Sequence, residues 1–115
     1  MADQDRPVYL RLRDRIADSI LDGRYRDGDP LPSVRAFAAE QGANPLTVAK
    51  AYQSFQDDGL VQVKRGVGMF VVPGASRKLR AMERERFFSV VWPPVADQMH
   101  RIGISLDELT EWHES

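Results

Sequence analysis

The sequence predicts a mainly α-helical fold with one small β-hairpin, and three observations carry that reading. Apolar residues recur at spacings of three and four along most of residues 7–57. Two β-rich runs then flank a glycine-bearing turn at residues 65–68. Helical, charged sequence returns after Pro73-Gly74. The 115 residues, 43% hydrophobic and 29% charged, match globular averages and suit one modest core plus an accessory element.

The first helix starts at Pro7, whose fixed φ suits a helix opening, and Tyr9, Leu12, Ile16 and Ile20 form its inner stripe. Gly23 supplies the C-terminal stop. Residues 25–32 hold Asp27-Gly28, Pro30 and Pro32, so they form a loop with at most a very short edge strand. Ser33 is placed to cap a short second helix, with Val34, Phe37 and Ala38 buried and Gln41-Gly42 at its end. Asn44-Pro45 opens a third: an N-cap acceptor followed by a residue whose missing N–H costs nothing at the first position. Val48, Tyr52 and Phe55 form its inner stripe, and Asp57-Asp58-Gly59 closes it. Thr47, Lys50 and Ser54 are expected on the opposite, outward stripe.

Residues 60–64 and 69–72 read as antiparallel strands, joined by the cationic tip Arg65-Gly66-Val67-Gly68. Residues 76–91 return to a helix in which Glu83 and Glu85 interleave with arginines, as on a solvated face. Trp92-Pro93-Pro94 is expected to break that helix and open another, with Val95, Met99 and Ile102 at i, i+4 and i+7. Ser105-Leu106-Asp107-Glu108 matches a capping box, so a last short helix should run to about His113. The expected organisation is a first domain over residues 1–74 and a helical arm over 75–115.

Composition excludes several chemistries. With no cysteine, a disulfide framework, a cysteine-ligated metal and a thiol nucleophile are impossible. The polar start Met1-Ala2-Asp3-Gln4-Asp5-Arg6-Pro7 has no apolar signal-peptide core, and no stretch approaches eighteen consecutive apolar residues. A soluble cytoplasmic protein without a membrane partner is therefore expected. His100 and His113 lack the paired spacing of metal ligands, so no metal site is expected. Gly66-Val67-Gly68 has neither the third glycine nor the following helix of a dinucleotide fingerprint.

Two helices joined by a short turn, the second with polar groups on its free face, form a helix-turn-helix whose second helix can enter a DNA major groove. The basic hairpin that follows adds a wing. Groove-facing positions need hydrogen-bond donors or small groups, and flanking termini need cations or free amides for phosphates. Thr47 suits a thymine methyl or a hydrogen bond donated by its hydroxyl, Lys50 guanine acceptors or a phosphate, and Arg35 the backbone or a base edge beside the groove. The formal net charge of -1 conceals the distribution: residues 60–72 carry +2, residues 33–56 carry +1, and residues 105–115 carry -4. The acidity belongs to the tail, and the small basic surplus favours binding through two half-sites.

The motifs Leu31-Pro32-Ser33-Val34-Arg35, Asn44-Pro45-Leu46-Thr47-Val48-Ala49-Lys50-Ala51-Tyr52, Gly59-Leu60 and Lys64-Arg65-Gly66-Val67-Gly68-Met69-Phe70-Val71 resemble the DNA-binding domain of GntR-type bacterial transcription regulators. The third-helix motif and the short C-terminal part are most similar to the YtrA subfamily. The resemblance covers roughly residues 7–72. It implies that Arg35, Thr47, Lys50, Arg65 and Gly66 face DNA, and that a homodimer acts on a palindromic operator, usually as a repressor. Ser33, Asn44 and Lys64 complete the expected DNA-binding set. The sequence departs from the pattern at Pro45 and Ala49, where many relatives carry arginine, and at Met69, where the wing usually has threonine. Base contacts made by those arginines are not carried over.

In the resemblance the C-terminal part forms a dimerisation arm, and its composition agrees. Phe87, Phe88, Val91, Trp92, Val95, Met99 and Ile102, followed by Leu109 and Trp112, are more apolar surface than so short an arm can bury alone. Forty residues cannot enclose a drug-sized ligand, so an unidentified small-molecule effector would bind at the dimer interface or between the arm and the winged domain. GntR-type winged domains also occur fused to pyridoxal-phosphate aminotransferase-like domains. This chain has no room for one, so neither catalysis nor a cofactor is expected. The alternative reading is a winged-helix protein-interaction module without specific DNA binding.

Overall fold

The computed structural model describes residues 6–112. Helix α1 (Val8–Leu21) lies against α3 (Pro45–Asp57), and α2 (Val34–Gln41) also packs on α3. Their shared core consists of Leu12, Ile16, Ala17 and Ile20 from α1, Phe37 and Ala38 from α2, and Val48, Ala51, Tyr52 and Phe55 from α3. Periodicity explains it: each set recurs at three or four residues, which places it along one side of its helix.

Capping sets the turn between α2 and α3. The Ser33 hydroxyl accepts from Ala36 N at 3.0 Å, and Asn44 Oδ1 accepts from Leu46 N at 2.8 Å. Between them Gly42 ends α2 at φ +63°, a left-handed conformation that glycine adopts without Cβ strain. Tyr52 ties α3 to the preceding loop by donating its phenol proton to Pro32 O at 2.7 Å.

Strands β1 (Val61–Lys64) and β2 (Gly68–Val71) pair antiparallel, with Val61 opposite Val71 and Lys64 opposite Gly68. The edge strand allowed for in the loop is a single bridge, Pro30 to Phe70. Around it Gly28 N donates to Val71 O at 2.8 Å, Val71 N to Asp29 O at 2.9 Å, and Leu31 N to Met69 O at 2.8 Å. The hairpin therefore has a third backbone partner along β2.

Two compact units divide the chain, one through Arg80 and one from Ala81. Helix α4 (Ala75–Arg86) spans that division, and its Ala75 and Leu79 are buried. In the first unit, Asp27 accepts from Gly74 N at 2.7 Å and Ser76 N at 3.4 Å, and Lys78 Nζ donates to Asp58 O at 2.6 Å. The second unit contains a π-helical turn (Phe87–Val91), α5 (Trp92–Ile102) and α6 (Leu106–Trp112).

The expected break at Trp92-Pro93-Pro94 does not occur. Arg86, Val91 and Trp92 all keep right-handed helical angles, and Trp92 N–H bonds to Phe87 O, five residues back. A widened turn accommodates the prolines, which fall in the first turn of α5, where missing N–H groups cost least. The capping serine behaves as expected: Ser105 Oγ accepts from Glu108 N at 3.1 Å. His113 lies outside the described residues. No helix among the described residues is long and apolar enough to cross a membrane.

Candidate nucleic-acid interface

Helix α3 presents its outward surface as a consequence of its core. At about 100° per residue, the side opposite Val48, Ala51, Tyr52 and Phe55 carries Leu46, Ala49, Lys50, Gln53 and Asp57. All five are exposed. The outward stripe is thus rotated from the expected Thr47, Lys50 and Ser54. Thr47 and Ser54 are half-buried on the flank, because α1 packs there. Thr47 borders an open concavity of about 350 Å³ with Val8, Arg11 and Arg15 of α1. Leu46 and Gln53 stand on this stripe without having been marked by the sequence pattern; a helical wheel centred on all four core residues, Ala51 included, points to them.

Lys50 is exposed, and its Nζ lies 4.2 Å from the centroid of the Tyr9 ring on α1. Gln53 Nε2 donates to Asp57 Oδ1 at 2.9 Å. Arg35 stands exposed in the first turn of α2, and none of the described side chains forms an ion pair with it. Ser33 and Asn44 are exposed too, but each has an oxygen committed to a helix cap. Asn44 and Lys50 lie at the turn and in the N-terminal half of α3, Gln53 in its C-terminal half, and Ser33 and Arg35 at the start of α2.

The wing supplies a separate group. Lys64 Nζ lies 4.5 Å from the Phe70 ring centroid, Arg65 is exposed at the tip, and Gly66 adopts φ +76°. A Cβ at Gly66 would meet no atom within 4 Å, so the backbone angle rather than crowding selects glycine. With β1 against α3, the hairpin extends from the same core that carries the helix.

Burial governs the Tyr52 phenol. Desolvation, then the nearby Tyr25 and Glu40, push the Tyr52 phenol far above its ordinary range. Its proton stays on the bond to Pro32 O.

In the arm, the expected dimerisation residues fall into two sets. Phe87, Phe88, Val95 and Ile102 are exposed, while Val91 and Trp92 are half-buried and Met99 is buried within one chain. Phe87 meets Phe88 edge-on at 5.3 Å and stacks on Trp92 at 6.5 Å between centroids. Among the described residues no group of three or more His, Asp or Glu is arranged to hold a metal ion.

A helix with an exposed outward stripe beside a cationic wing is the arrangement of a DNA-binding transcription regulator of the winged helix-turn-helix class. Residues 8–71 match the profile of "Bacterial regulatory proteins, gntR family". The chain is 31% identical to the HTH-type transcriptional repressor YtrA of Bacillus subtilis, over 92% of this chain and 81% of that one. A putative GntR-family transcriptional regulator from Bacteroides thetaiotaomicron superposes with TM-score 0.70 at 33% identity, covering 91% of each chain. The AraR DNA-binding domain, solved with operator ORR3, shares the fold at TM-score 0.55 and 24% identity, over 57% of this chain and 80% of that one. The protein belongs to the gntR family of bacterial regulatory proteins, whose members here are transcription regulators and not enzymes.

Proposed function

We propose that this regulator is a cytoplasmic homodimeric repressor that binds a palindromic operator. Each α3 enters a major groove, and each wing tip reaches an adjacent minor groove or phosphate. Ser33, Arg35, Asn44, Thr47, Lys50, Lys64, Arg65 and Gly66 form the DNA-facing set, to which the geometry adds Leu46 and Gln53. The observation that carries the proposal is the exposed stripe of α3, with Lys50 and Gln53 held outward on a capped helix. The repressor name of the YtrA relative supports the sign of regulation. The AraR domain of the same fold, solved in complex with an operator, supports DNA as the partner. Exposed Phe87, Phe88, Val95 and Ile102 support pairing with a second copy, which would remove them from water.

Titration against palindromic duplexes over a salt series tests this reading. Two chains per duplex and a steep fall of affinity with salt are expected. A monomeric chain with no sequence preference would overturn it and favour a protein-interaction module. An effector response belongs to the same proposal, supported by an open concavity of about 410 Å³ that joins Arg26 and Arg80 beside the start of α4. Release from the operator is the readout.

A further inference from the structure

We infer that Leu46, with Ala49 beside it, reads the 5-methyl group of a thymine in each operator half-site. Leu46 is 80% exposed, although a leucine gains nothing by standing in water. Single exposed apolar residues are common, so exposure alone assigns nothing. Its position does. Leu46 lies opposite the buried stripe of α3, within about 60° of Ala49, Lys50 and Gln53 around the helix. Its backbone is held firmly: Pro45 precedes it at the first helical position, and its own N–H is bound by Asn44 Oδ1 at 2.8 Å. The side chain therefore projects from a fixed point at the N-terminal end.

Charge decides which end of α3 goes deepest. Asp57 shares the outward stripe at the C-terminal end, where its exposed carboxylate would repel phosphates. The N-terminal half carries Lys50 and no acid. Docking by that half brings Leu46 and Ala49 to the groove floor. In the major groove the one apolar feature of a base edge is the thymine methyl, so it is the complementary partner for an aliphatic side chain. Thr47, the expected methyl contact, is half-buried on the α1 flank.

The inference rests on the DNA-binding reading above, and the experiment separates the two. A duplex is selected from a randomised palindromic pool with the full chain, and each thymine is replaced singly by uracil, which removes the methyl alone. At one thymine per half-site, uracil should weaken the parent by about fourfold, the factor for one buried methyl-sized group. Leu46→Ala, which removes the contact from both half-sites of the dimer, should bind the parent duplex about sixteenfold more weakly and lose that sensitivity at the same position. Because the side chain is exposed, the variant should melt like the parent. Specific binding with no thymine sensitive to uracil, or with Leu46→Ala equally sensitive, overturns the inference and leaves the DNA reading intact. Failure to select any duplex overturns both.

Discussion

The ammonium of Lys50 on α3 lies over the ring of Tyr9 on α1, 4.2 Å from its centroid. That contact limits the positions of a flexible four-carbon chain before any duplex arrives, which lowers the entropy lost on docking.

The pair should therefore be energetically coupled in operator binding. A double-mutant cycle of Tyr9→Leu and Lys50→Ala should give a coupling of about 0.5–1 kcal/mol. Tyr9→Phe keeps the ring and should bind like the parent in fluorescence anisotropy. Additive losses would mean that Lys50 acts without Tyr9.

Helix and wing should respond differently to truncation. Arg35→Ala or Lys50→Ala should cost about 1–3 kcal/mol on the operator and relax its sequence preference. Arg65→Ala should weaken operator and random duplex alike and lower the salt slope by about one. Gel-shift titrations at several salt concentrations check both.

Arg13 is a buried cation whose Nη2 donates to Asp58 Oδ2 at 2.5 Å, with its guanidinium 4.8 Å from the Phe55 ring centroid. Its Nε has no hydrogen-bond partner among the described residues. Asp58→Ala would leave the charge unpaired and should destabilise the fold by about 2 kcal/mol, moderated because Asp58 is partly exposed. Arg13→Met removes the charge and keeps the packing, so urea unfolding should show a smaller loss.

Tyr52 predicts an alkaline limb. Its phenol is raised far above the ordinary 10.0 by burial first. Below that value the proton is bound in both folded and unfolded chains, and stability is independent of this group. Above it the unfolded chain releases the proton while the folded chain retains it, so stability falls as pH rises. Denaturant midpoints should drop above about pH 10, and Tyr52→Phe should abolish that part of the drop at a cost of about 1 kcal/mol for the lost bond to Pro32 O.

Much of this was legible in the sequence because capping chemistry is local. Ser33, Gly42, Asn44 and Pro45 mark the turn before α3 by their own side chains and backbone preferences. Two features were not legible, for different reasons. The outward stripe of α3 depends on where α1 packs, and Thr47 and Ser54 are half-buried by that long-range choice. Pro93 and Pro94 ordinarily end a helix, but one extra residue in the preceding turn lets it continue, and only the bond from Trp92 N to Phe87 O reveals this.

Association should depend on the exposed part of the arm. Phe88→Ser and Ile102→Ser, which are 58% and 61% exposed, should leave monomer stability near its parent value. Each should weaken self-association by about 1–3 kcal/mol in sedimentation equilibrium.

Fragment design shows what the first turns of α4 contribute. Pro73-Gly74 invites a cut, yet Ala75 and Leu79 are 2% and 0% exposed, and Lys78 holds the last turn of α3 through Asp58 O. A truncated head ending at Gly74 would open a hole in its own core, whereas one ending at Arg80 would carry its plug with it. Chimeras that graft foreign arms onto this head should therefore be spliced after residue 80.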